Sequence, residues 1–81
     1  MMLEEILEDI KKEFEFATNK YGSFNSLHEA YAIVLEEMNE LWVEVKEAQK
    51  KPEHIKLAKK EAIQVATMAI RLIFDCCERE K

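Results

Sequence analysis

From Leu3 the apolar positions are Leu3, Ile6, Leu7, Ile10, Phe14, Ala17 and Tyr21, with glutamate, aspartate and lysine filling most of the gaps. Steps of three and four put these residues on one stripe of a helix. The segment "NKYGSFNS" then breaks the rhythm. Gly22 suits a helix C-terminus, and Ser26 with Glu29 three residues later reads as a capping box opening a second helix near Leu27. The apolar stripe of that helix is Leu27, Tyr31, Val34, Leu35, Met38, Leu41, Trp42 and Val45, all read as core. At "QKKPEH" the lysines complement the negative helix end, and Pro52 can open the next helix. The pattern predicts one all-α domain over residues 1–81, an antiparallel bundle of helices at about 3–20, 27–50 and 53–78.

The third helix departs from simple amphipathicity. From Ala62 to Cys77 it reads "AIQVATMAIRLIFDCC", where Gln64, Thr67, Arg71 and Asp75 are the strongly polar side chains. Apolar groups therefore cover most of its circumference, and two partner helices in an 81-residue chain can hardly bury it. A homodimer or homotetramer centred on this helix is the expected remedy, as for other small cores.

Composition narrows the classes. With 48% apolar and 36% charged residues, one glycine and one proline, the chain is globular and helical, with few connections. A formal charge of −5 argues against nucleic acid as a partner, because phosphate backbones demand a basic footprint. It leaves a nucleotide open, since a divalent cation bridges carboxylates to phosphates. No apolar run approaches a bilayer span and "MMLEEILEDIKK" is no signal peptide, so no membrane partner and a cytoplasmic location are expected. Cys76 and Cys77 are adjacent, without zinc or redox spacing, and read as small buried hydrophobes. His28 and His54 share no motif, and a single glycine rules out a glycine-rich phosphate loop.

The acidic residues change the picture more. Glu37, Glu40 and Glu44 stand at i, i+3 and i+7 on the second helix and form one stripe, while Glu36, Glu29 and Glu47 turn toward solvent. On the third helix Glu61 falls inside the apolar arc of Leu57, Val65, Met68 and Leu72. A lone carboxylate directed into a core costs several kcal/mol unless it is paired or metal-bound. Lys20, Lys59 or Arg71 would serve as a structural partner. The alternative is that Glu61 faces Glu37 and Glu40, with cations such as Mg²⁺ neutralising the group.

The pair of segments "EEMNEL" (Glu36 to Leu41) and "EAIQVA" (Glu61 to Ala66) resembles the all-α NTP pyrophosphatase superfamily, the MazG-like proteins, whose pattern is Glu-Glu-x-x-Glu on one helix and Glu-x-x-Asp on the next. The resemblance covers the second and third helices. It implies a helical oligomer that binds Mg²⁺ and hydrolyses a nucleoside triphosphate to the monophosphate and pyrophosphate. Carried over by position, Glu37, Glu40 and Glu61 would be metal ligands and Glu36 a neighbouring carboxylate, with the Glu36 to Glu40 group receiving the proton of the attacking water. Gln64 stands where the family has its last aspartate; its carbonyl can ligate a hard cation but brings no charge. Lys59, Lys60 and Arg71 are the cations available to phosphates. A non-catalytic helical oligomer of the same fold, acting as an interaction or nucleotide-binding module, is the second reading, and Gln64 is the residue that favours it.

Overall fold

The computed structural model describes residues 2–78, and among them every regular element is helical. Helix α1 spans Leu3–Tyr21, α2 spans Leu27–Ala48 and α3 spans His54–Leu72, continued by a π-helical turn at Ile73–Cys77. The third predicted helix thus ends in a wider turn, in which the Glu78 N–H reaches back five residues to the Ile73 carbonyl at 2.9 Å. No helix among the described residues is long and apolar enough to cross a membrane.

The connections follow the local chemistry. Gly22 adopts φ 77°, a conformation that other residues reach only with strain, and its N–H bonds the Thr18 carbonyl at 2.9 Å, closing α1. Ser26 Oγ accepts the Glu29 N–H at 3.1 Å. The Glu29 carboxylate reaches one residue further back than a capping box requires, to the Asn25 N–H at 2.6 Å. Between α2 and α3, the Lys50 and Lys51 amides both bond the Glu47 carbonyl, and His54 then leads α3 away.

Helix α3 is the shared element, packed against both α1 and α2. Its best-packed end lies where the C-terminus of α1, the 22–26 loop and the start of α2 meet the last turns of α3. There Ala17, Phe24, Ala30 and Met68 are buried, with Ile33, Val34, Leu72 and Cys76 packed against them. Two side chains, one from the end of α3 and one from its π-helical continuation, fasten the loop. Arg71, 2% exposed, donates to the Gly22 carbonyl, lies 4.5 Å from the centre of the Phe24 ring, and touches Met68 Sδ at 3.5 Å. Asp75, in the π turn, accepts the Phe24 N–H at 2.8 Å.

The apolar stripes are less covered than the sequence predicts. Leu3, Leu7 and Tyr21 of α1 are exposed, and so are Leu27, Tyr31, Leu35, Met38 and Trp42 of α2. Tyr31 and Trp42, read as core, are 61% and 54% exposed. Cys77 is exposed and Cys76 only partly buried, against the expectation of two buried thiols. The reason is geometric: α2 has one helical neighbour of substance, α3, so only part of its broad apolar surface meets another helix.

Because Asp75 is the acceptor for a partly buried amide in the loop, Asp75→Ala should lower unfolding free energy by about 1–3 kcal/mol. Urea denaturation checks this; unchanged stability would show that the loop is held by other contacts.

Candidate metal centre and adjoining cavity

Helices α2 and α3 bring three carboxylates to one place. Glu37 and Glu40 are one turn apart on α2, and Glu61 comes from α3. One carboxylate oxygen from each lies within 4.8 Å of the others. Glu37 and Glu61 are half-buried and Glu40 is exposed, so the group sits at the edge of the α2–α3 interface and opens to solvent. The helical spacing anticipates this meeting.

The electrostatics are unfavourable for three bare charges. Burial pushes the Glu37 carboxyl up from 4.5 to about 7, reinforced by Glu40, Glu61 and Glu36. Glu61 is also raised, first by burial and then by Glu40; Lys60 offsets only part of this. Glu61 Oε1 is buried without a hydrogen-bond donor. Glu40 stands within hydrogen-bonding reach of both neighbours, a contact that becomes a hydrogen bond only when one carboxyl is protonated.

The donor set fits a hard divalent cation. All the atoms are oxygens, one is orphaned, and the charge is negative. Gln64 follows Glu61 by one turn on α3 and lines the cavity beside the group. The Glu44 carboxylate is held by His54 Nδ1 at 2.8 Å, which ties the start of α3 to α2 just beyond the cluster.

A cavity of about 490 Å³ adjoins the cluster and shares Glu37 with it. Glu36 and Gln64 line the same cavity, together with Phe16, Tyr21, Phe24, Ile33 and Met68. Arg71 also lines it, although the guanidinium is committed to the loop rather than standing free. Lys60 is exposed beside Glu61. Lys59 lines a different recess, between Ile6 and Ile10 of α1 and Ala62, Ile63 and Ala66 of α3. The structure therefore brings Glu36, Glu37, Glu40, Glu61, Gln64 and Arg71 to one cluster and its adjoining cavity, and sets Lys59 in another recess. Sequence reasoning did not single out Phe24, Phe16 or Glu13, which also line the cavity. The phenylalanine in "YGSFNS" was a signal that could have drawn notice, since a large apolar side chain in a short loop must find a covered place.

Comparison with models of protein families, with curated proteins and with solved structures gave no match. The site therefore stands on its own residues and on the motif resemblance.

A raised carboxyl makes folding take up a proton. Between its ordinary value and about 7, the folded state holds the Glu37 proton that the unfolded chain releases, so stability falls as pH rises through that window. In EDTA, the thermal midpoint should decline from about pH 5 to about pH 7.5, and Glu61→Gln should raise the midpoint at the upper end and flatten the slope. Differential scanning calorimetry across pH decides it. A destabilised Glu61→Gln protein would mean that Glu61 is paired with a cationic side chain instead.

Proposed function

We propose that the protein is a Mg²⁺-dependent nucleoside triphosphate pyrophosphohydrolase of the MazG-like kind, releasing the monophosphate and pyrophosphate. The observation that carries this reading is the convergence of Glu37, Glu40 and Glu61, with one Glu61 oxygen buried and donorless, beside a cavity of small-molecule size that shares Glu37 with the group. The resemblance of "EEMNEL" and "EAIQVA" to the superfamily motifs supplies the reaction class.

In this reading Glu37, Glu40 and Glu61 hold the metal through carboxylate oxygens, and Gln64 contributes its carbonyl. Bound there, Mg²⁺ would neutralise phosphate charge and lower the pKa of water. Glu36 follows Leu35 on α2, lines the cavity, and lies outside the trio. It takes the proton as water adds to phosphorus and the bond to the bridging oxygen breaks, leaving pyrophosphate as the other product. Exposed Lys60, next to Glu61 in sequence, is the cation left for the departing phosphates, since Lys59 lines another recess and Arg71 is committed to the loop. A neutral Gln64 weakens the hold on the metal relative to an aspartate, and a chain without turnover would be the non-catalytic module of the same fold.

The antiparallel bundle is completed by self-association as a homodimer or homotetramer. Supporting this is the exposed run of Leu27, Tyr31, Leu35, Met38 and Trp42, which follows a single face of α2 at helical spacing. The chain carries too little core to leave such a surface to water. The seam is therefore assigned to α2 in addition to α3. Sedimentation equilibrium should show an oligomer, and Tyr31→Glu with Trp42→Glu should shift it to monomer; a wild-type monomer would sink the assembly.

For the reaction, pyrophosphate release from a panel of nucleoside triphosphates should require Mg²⁺ and disappear in Glu40→Gln and Glu61→Gln. Gln64→Asp should lower the Mg²⁺ concentration for half-maximal rate several-fold, because affinity follows ligand charge. If no nucleotide is turned over and calorimetry detects no Mg²⁺ binding, the assignment fails.

A further inference from the structure

Beyond the carboxylate trio, Glu44 Oε1 and His54 Nδ1 meet at 2.8 Å and join α2 to the first residue of α3. The His54 and Glu44 side chains are 24% and 22% exposed, so the contact lies largely out of water. Building on the pyrophosphohydrolase reading, we infer that His54 is a positioning residue for the metal ligands. Its grip on Glu44 holds α3 against α2, so that Glu61 stays beside Glu37 and Glu40.

The register of the two helices supports this. Glu37 precedes Glu44 by seven residues on α2, and Glu61 follows His54 by seven on α3. Seven residues are close to two helical turns, so in each helix the two side chains share a face about 10 Å apart. Both ligands lie on the side away from the turn that joins α2 to α3. Pinning the helices together at Glu44 and His54 therefore sets the separation of Glu37 and Glu61 two turns further on.

Apolar packing is thin at this end of the helix pair. The buried core gathers around Met68 in the second half of α3, whereas Ile55 and Leu57 of α3 and Trp42 and Val43 of α2 are exposed. Glu53, which precedes α3, forms no side-chain cap. Three carboxylates meanwhile repel one another across the interface. The His54–Glu44 contact opposes that force, and a partly buried hydrogen bond to a carboxylate holds better than one in open water. A neutral imidazole protonated at Nδ1 is donor enough, so no positive charge is needed. His54 also engages a further acid of the stripe: Glu61, raised chiefly by burial and by Glu40, is pushed the same way by Glu44.

Two measurements separate positioning from general stability. In calorimetric titrations with Mg²⁺ alone, His54→Ala should bind about ten-fold more weakly than the wild type. His54→Gln keeps a side-chain N–H for Glu44 and should recover most of that loss. Asp75→Ala, which loosens the loop at the other end of α3, should lower the thermal midpoint and leave Mg²⁺ affinity alone. The second measurement needs no metal. In EDTA, the fall in thermal midpoint caused by His54→Ala should shrink by about half or more in a Glu61→Gln background, because the repulsion that the contact resists is gone. Unchanged Mg²⁺ affinity in His54→Ala, tighter binding through a released Glu44, or additive effects in EDTA each overturn the inference. A wild-type protein that binds no Mg²⁺ sinks the pyrophosphohydrolase reading instead, and non-additivity in EDTA then still upholds His54 as the residue that keeps the carboxylates together.

Discussion

Glu61 is the residue on which the candidate site turns. It is a carboxylate on a mostly apolar helix, half-buried, with one oxygen that meets no donor. A stable chain would ordinarily replace such a group or pair it with a cation. Here its nearest partners are two further carboxylates, so the arrangement raises proton affinity at Glu37 and Glu61 instead of lowering it. Perturbation of this kind, where burial and like charge act together beside a cavity, is what marks the group as a candidate site.

The stabilising interactions are gathered elsewhere on α3. About 15 Å separates Glu61 from Arg71 along the helix axis, as ten residues at the α-helical rise require. At the far end Arg71 and Asp75 fasten the 22–26 loop to α3 through the Gly22 carbonyl and the Phe24 amide and ring, and the best-buried apolar residues lie around them. One helix thus carries a repulsive cluster in its first half and the anchor of the fold in its second. The separation lets the acidic group be unfavourable without the loop or the local core depending on it.

The helices and the carboxylate trio were legible because both follow from the 3.6-residue period. Glu37 and Glu40 share a face by spacing alone, and Glu61 is conspicuous because its neighbours on the wheel are Leu57, Val65 and Met68. The anchoring of the loop was not legible. Arg71 and Asp75 look like a continuing polar strip, and nothing in their spacing says that they turn toward residues about fifty positions earlier in the chain. The same holds for the cavity, whose walls come from α1, the loop, α2 and α3. Burial was overestimated for Tyr31 and Trp42 because periodicity identifies an apolar face without saying how many partners will cover it.

The position of Gln64 connects these observations. It lies between Glu61 and Met68 on α3, borders the cavity, and follows Glu61 by one turn. An aspartate there would add a fourth carboxylate to a group in which two are already raised by burial and mutual repulsion. Gln64 removes that charge while keeping a carbonyl for a cation and adding an amide N–H₂ that a carboxylate lacks. The exchange spares this side of the cavity a further negative charge, one that a bound cation would otherwise have used. It also places a donor on a cavity wall whose other cluster-side residues, Glu36 and Glu37, can only accept when ionised. Gln64 in place of an aspartate therefore bears on both the carboxylates and the cavity: one charge fewer beside the carboxylates, and mixed hydrogen-bonding character for whatever occupies the space next to them.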